Sequence, residues 1–171
     1  MNQTTTPAIS IALTLALLPS FVLAGNEEIW GTYKIISATV HWLDSGQTED
    51  AYGKHPNGYI TYGKDGRMMV LVAYDSRLKL SKPETATIEQ RDQLYSTMFA
   101  YAGTYTYTGT SIEHHIDVSW NEAWTGKTVI RDITRQGNRL TYVTRPQTSP
   151  RNGRLEVVTL VWEKVPDSMV P

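Results

Sequence analysis

The sequence predicts an all-β protein, a single eight-stranded antiparallel up-and-down barrel with one short capping helix. Three observations lead to this prediction. About eight strand-like runs follow one another, and most of their connections are short and polar. Apolar residues alternate with polar ones along several runs, so each of those strands has one face suited to the interior. An open meander of this size would leave two long edges, which closure removes.

The first 24 residues have the layout of a secretory signal peptide. An almost wholly apolar run over residues 8–18 is followed by Pro19-Ser20 and by a small-residue cleavage pattern that ends at Ala24. We therefore expect residues 1–24 to be removed and residues 25–171 to form one barrel domain. The alternative is an uncleaved membrane anchor, because the leader lacks Lys and Arg. A bilayer span needs about 20 apolar residues, however, and this run is shorter.

Composition narrows the function classes further. The chain has no cysteine, which excludes disulfides and cysteine-built zinc sites. The formal net charge of −1 gives no general reason to expect nucleic acid or a membrane surface as a partner. Six of the nine arginines lie between Arg131 and Arg154. This cluster is interpreted as solvated hairpin edges, with a patch for anionic ligands as the alternative. We expect a secreted or periplasmic protein without a cofactor.

The first half of the chain predicts three strands, at residues 31–43, 58–62 and 67–74. In the first strand, Ile36, Ala38, Val40 and Trp42 form an apolar row. The second and third strands are joined at residues 63–66 by a Gly-Lys-Asp-Gly turn, because Asp-Gly readily accepts the positive φ of a tight hairpin.

The second half predicts one helix and then five strands. Apolar residues recur at helical spacing over residues 86–99, which indicates one amphipathic helix. A single helix in an otherwise all-β chain typically covers a barrel end, and that is the expected position. Strands are then predicted at residues 101–108, 111–120, 126–134, 139–144 and 154–164.

His114 is the first candidate for a functional role. It shares the parity of Ile112, Ile116 and Val118, so it is predicted to point inward, whereas His115 faces water. A buried imidazole needs a hydrogen-bond partner. Two interpretations stay open: a structural histidine bonded to a tyrosine or the backbone, or a group that orients a ligand or acts as acid and base in a cavity. A metal site is not expected, because no second ligand has suitable spacing on this face.

Arg131 is the second candidate. It shares the parity of Val129 and Ile133, which predicts an inward guanidinium. Such a group needs an acceptor, either an internal carboxylate or a carboxylate of the ligand held by two parallel hydrogen bonds. The hydroxyls of Tyr62, Tyr101 and Tyr105 are further ligand-binding candidates, with ordinary core packing as the alternative.

Motifs for other chemistry are absent. The sequence contains no G-x-S-x-G, no glycine-rich phosphate loop and no paired carboxylates on one strand face. Ser119 points away from His114, so the two do not form a nucleophile–base pair.

An ordered set of motifs covers nearly the whole of residues 25–171. Its segments are Trp30-Gly31-Thr32-Tyr33-Lys34-Ile35-Ile36-Ser37, Gly58-Tyr59-Ile60-Thr61-Tyr62 with Asp65-Gly66-Arg67-Met68, Tyr101-Ala102-Gly103-Thr104-Tyr105, His114-His115-Ile116 with Ser119, Trp124-x-Gly126 and Arg131, Gly137-Asn138-Arg139-Leu140, and Leu160-Val161-Trp162-Glu163-Lys164. This set resembles the bacterial and fungal lipocalin-like domain family within the calycin-like barrels. It departs from the family pattern at Tyr33, where tryptophan is usual, and at Glu122-Ala123, where Pro-Asn is usual. The resemblance implies an eight-stranded barrel with an internal cavity and implies little about activity.

The sequence therefore favours an exported barrel that binds a small, largely apolar molecule in its lumen. His114 and Arg131, helped by Tyr62, Tyr101 or Tyr105, would orient the polar end of that ligand, a carboxylate or carbonyl. One alternative is a cofactor-free isomerase or cyclase that uses the same cavity with His114 as acid and base. The other is a structural or interaction barrel with a packed lumen.

Overall fold

The computed structural model describes residues 29–82, 85–149 and 152–166. The predicted signal peptide lies outside these residues, as do Pro83 and Glu84, whose residue types are typical of a helix start. No helix in the described segments is both long enough and apolar enough to traverse a bilayer.

Eight long strands form a closed antiparallel barrel, as predicted. The strands are β1 Gly31–Trp42, β2 Thr48–Asp50, β3 Asn57–Tyr62, β4 Arg67–Ala73, β5 Met98–Tyr107, β6 Ser111–Ser119, β7 Thr128–Gln136, β8 Arg139–Thr144, β9 Gln147–Thr148 and β10 Leu155–Lys164. The long strands pair in the order β1, β3, β4, β5, β6, β7, β8 and β10, and β10 pairs back with β1 to close the sheet. Two short strands, β2 and β9, extend the sheet beside β1 and β10 and were not predicted.

The two ends of the barrel differ. At one end, tight hairpins join β3 to β4, β5 to β6 and β7 to β8, and Gly66, Gly109 and Gly137 supply positive φ in these turns. At the other end lie the longer connections, including the helix α1 (Ile88–Ser96) and a short 3₁₀ helix at Glu122–Trp124. We call the first the closed end and the second the mouth.

Two β-bulges change which residues face the interior, so the inner rows differ from those predicted. The β1–β10 register shifts between Ile35 and Ser37, so Ile36 is an extra residue and is exposed, while Tyr33 and Ile35 point inward. The β5–β6 register shifts between Ala102 and Gly103. Val118 is 57 % exposed as a result, although the alternation placed it inside.

The helix differs from the prediction for residues 86–99. It begins later because Thr87 caps it: the Thr87 hydroxyl accepts from the Gln90 amide, and the Gln90 side chain accepts from the Thr87 amide. It ends before Phe99, which is a buried residue of β5. None of its residues is buried, and Ile88 is largely exposed, so the predicted amphipathic packing was wrong. The helix lies at the mouth, where the Trp120 indole donates to the Tyr95 carbonyl.

Candidate functional site

The inward positions of five strands bring a polar network into the barrel interior. His114 on β6 is 1 % exposed and Arg131 on β7 is 7 % exposed, so both point inward as their parity predicted. The other members are tyrosines of β3, β5 and β8, namely Tyr62, Tyr101 and Tyr142.

His114 is the centre of this network. Its Nε2 lies 2.7 Å from the Tyr62 hydroxyl, and its Nδ1 lies 2.9 Å from the Tyr101 hydroxyl and 3.3 Å from Nη1 of Arg131. The Tyr62 hydroxyl lies 2.9 Å from that of Tyr142. Four side chains from four different strands are therefore joined, directly or through Tyr62, to one imidazole.

The guanidinium of Arg131 decides the direction of these hydrogen bonds. It can only donate, so Nδ1 of His114 accepts and the imidazole proton is assigned to Nε2. Nε2 then donates to the Tyr62 oxygen, and the Tyr62 hydroxyl also shares a hydrogen bond with the Tyr142 hydroxyl. The Tyr101 hydroxyl donates to Nδ1.

Burial also fixes the protonation states in the network. Desolvation, with a further contribution from the Arg131 charge, holds the pKa of His114 well below its usual range, so the imidazole is neutral. Burial raises the pKa of Tyr62 and Tyr142, and both hydroxyls stay protonated. Burial alone lowers the pKa of Arg131, but the surrounding tyrosine hydroxyls raise it, and the net direction is upward. Arg131 is thus the single cation of the network.

A cavity of about 250 Å³ lies at the mouth above this network. Arg131 lines it, whereas His114, Tyr62, Tyr101 and Tyr142 do not. The volume is close to the lower end of the range of about 300–1,000 Å³ for small-molecule pockets.

Aromatic side chains dominate the wall of this cavity. Tyr52 and Tyr74 stack with their ring centroids 4.5 Å apart, and Trp120 meets Trp124 edge to face at 5.3 Å. Phe99, Met98, Val158 and Leu160 add further apolar surface, and Ser96, Asn121, Thr144, Gln147 and Glu156 supply polar groups.

A second depression of about 430 Å³ adjoins the first. The two share Trp124, Arg131, Thr144 and Gln147 as lining residues. The β7–β8 pairing begins only at Arg131 and Thr144, so residues 128–130 of β7 have no partner on β8. Arg131 therefore lies where the mouth opens laterally between β7 and β8.

Arg131 has no carboxylate partner within ion-pair distance in the segments that the structure describes. The ion pairs found there use other cations, such as Arg67 with Asp117 and Arg139 with Glu163. Nε of Arg131 is buried and makes no hydrogen bond within those segments. A buried charge in this condition is costly, and a bound acceptor would offset that cost.

The sequence candidates therefore fall into two groups. Arg131 faces the cavity. His114, Tyr62 and Tyr101 lie behind it in the packed interior, where Tyr101 and His114 hold the guanidinium in place. Tyr105 lies towards the closed end, where its hydroxyl donates to the Gly63 carbonyl at 3.0 Å.

Most of the residues that line the cavity at the mouth were not predicted from the sequence. Tyr52, Trp120 and Trp124 come from connections between strands, where no periodicity marks an inward side chain. Glu156 was also missed, although a signal existed: it shares the parity of Val158, Leu160 and Trp162 on β10.

Comparison with known proteins identifies a family. A family model described as a lipocalin-like domain matches residues 30–165. No curated protein matches the chain.

Proposed function

The chain belongs to the lipocalin-like domain family, and on that premise we propose that it binds a small, largely apolar molecule in the mouth cavity, with Arg131 receiving the ligand's polar end. The family supports a ligand-binding barrel in general. The observation that carries the finer proposal is the buried guanidinium at the cavity wall, which lacks a carboxylate partner in the described segments. The polar end is a carboxylate, which pairs with a guanidinium through two parallel hydrogen bonds.

His114 acts in this proposal as a positioning residue. Both ring nitrogens are engaged, one by Tyr62 and the other by Tyr101 and Arg131. The imidazole is neutral and does not line the cavity. This arrangement favours orientation of Arg131 over direct acid–base chemistry on a ligand, and ligand binding is therefore favoured over an isomerase or cyclase.

Titration calorimetry tests the role of Arg131. Hydrocinnamate, an aromatic acid that suits an aromatic cavity of this size, should bind more tightly than hydrocinnamyl alcohol, which lacks the carboxylate. Arg131→Met should weaken hydrocinnamate by roughly tenfold or more, because the charged hydrogen bonds are lost. Arg139→Met is the matched control, since Arg139 is exposed and pairs with Glu163; it should leave the affinity unchanged.

Two results would overturn the proposal: equal affinity for acid and alcohol in the native protein, or an unchanged acid affinity in folded Arg131→Met. The comparison of acid with alcohol uses only the native protein, so it tests the proposal even if Arg131→Met does not fold. Native mass spectrometry of protein purified from its own host would then identify a co-purifying molecule.

Export is a further part of the proposal. It is supported by the apolar run and the small-residue pattern ending at Ala24. The mass of the protein recovered from the periplasm or medium should lack residues 1–24. Recovery of the full-length mass from the cytoplasm alone would contradict it.

A further inference from the structure

Glu156 is a second buried charged side chain that lines the mouth cavity. It is 3 % exposed and lies on the inner row of β10. The Gln147 side-chain amide donates to Oε1 at 3.2 Å and so fixes the carboxylate. Oε2 is buried and has no hydrogen-bond partner within the described segments. An acceptor left in this state loses its hydration without compensation.

Arg131, a hydrogen-bond donor, and Glu156, an acceptor, line the same cavity. Neither forms an ion pair within the described part of the chain, and they do not pair with each other. Thr144 lies between them across the sheet: it is the register partner of Arg131, and its hydroxyl accepts from the Val158 amide on β10 at 2.8 Å. Both side chains line the cavity, and each has a buried polar atom without a hydrogen-bond partner in the described segments: Nε of Arg131 on one strand and Oε2 of Glu156 two strands away.

We propose that Glu156 accepts a hydrogen bond from the ligand, so that the ligand is a small acid that also carries a hydroxyl or amino group. This inference rests on the proposed function and adds a second point of recognition to it. The carboxylate of the ligand meets Arg131, its apolar body lies among the aromatic side chains, and its donor meets the carboxylate of Glu156. Gln147 positions Glu156 much as His114 and Tyr101 position Arg131.

Hydrocinnamate and its ortho-, meta- and para-hydroxy analogues test this inference by titration calorimetry on the full chain. The four acids share a carboxylate and a ring and differ only in the donor. At least one hydroxylated acid should bind roughly tenfold more tightly than hydrocinnamate, because it donates to a buried carboxylate. Glu156→Gln should remove most of that gain and leave the affinity for hydrocinnamate itself nearly unchanged. Glu163→Gln, an exposed acid on the same strand, is the matched control and should keep the gain.

The outcomes separate the two proposals. If hydrocinnamate binds through Arg131 but no hydroxylated analogue gains affinity, the inference about Glu156 is overturned and the proposed function stands. A gain that persists in Glu156→Gln overturns the inference as well. If none of the four acids binds the native protein, both proposals are overturned. The comparison of the four acids uses only the native protein, so it tests the inference even if Glu156→Gln does not fold.

Discussion

Gly103 on β5 lies so close to the carbonyl of His115 on β6 that no side chain fits between them. A Cβ built on Gly103 would overlap the His115 carbonyl oxygen and lie 3.1 Å from the Asp117 amide. Asp117 is the extra residue of the β6 bulge, since Ala102 pairs with Val118 and Gly103 with Ile116. The backbone of the β6 bulge therefore requires a residue without a side chain at position 103.

We expect Gly103→Ala to destabilise the protein. The new methyl group meets backbone that cannot rotate away, and overpacking of this kind costs about 1–3 kcal/mol. Urea unfolding followed by circular dichroism measures the change. Gly63→Ala is the control: its Cβ would overlap the Asp65 side chain, which can move, so its cost should be smaller. Equal costs for the two variants would contradict the close approach at Gly103.

We expect Tyr62→Phe to lower the free energy of unfolding by about 1–3 kcal/mol, because it leaves both His114 Nε2 and the Tyr142 hydroxyl without their partner. Tyr59→Phe on the same strand is the control, since Tyr59 is on the outer face and is 46 % exposed. Its effect should stay within about 0.5 kcal/mol. Equal denaturation midpoints for the two variants would show that the network contributes no stability.

Acid should destabilise the fold through His114. Burial holds the folded-state pKa of His114 well below its ordinary value, which the unfolded chain keeps at about 6.5. Below that pH the unfolded state binds one more proton than the folded state, so this contribution to stability is lost as the pH falls. The slope is about 1.4 kcal/mol per pH unit.

Urea unfolding at several pH values between neutral and mildly acidic measures this slope. His114→Gln should flatten the profile by the contribution of one proton. The matched control is His115→Gln, which changes the half-buried neighbour on the opposite face of the strand. A native profile that is already flat would contradict a neutral, buried His114.

Loss of the helix cap should act locally. Thr87→Ala removes the hydroxyl that accepts from Gln90, at a cost of about 1 kcal/mol to α1. Because α1 buries no residue, we expect faster amide exchange over Ile88–Ser96 and little change in global unfolding. Thr85→Ala lies outside the helix and is the control. A drop in global stability equal to the cap's cost would show that the helix unfolds with the barrel.

Strand alternation was enough to predict the barrel and the inward direction of His114 and Arg131. It failed at Ile36, which is itself the extra residue of the β1 bulge, and at Val118, which the extra residue Asp117 turns to the outer face. Nothing local in the sequence marks either bulge. The partners of His114 could not be predicted either. Tyr62 lies 52 residues away in sequence, so its contact depends on how the strands are arranged around the barrel.

The mouth was the least predictable part. Tyr52 and Trp120 reach the cavity from connections whose paths are set by long-range contacts rather than by periodicity. Glu156 could have been found by the same parity argument as His114, because it shares a row with Val158 and Leu160.

The long connections at the mouth and the tyrosine–histidine network behind it are carried by different parts of the chain. Residues 43–56 and 120–127 contribute to the wall of the cavity, and among them Trp124 also packs against the ring of Tyr101. On the proposed function, substitutions in these connections other than at Trp124 would change which ligands fit, while the guanidinium keeps its place.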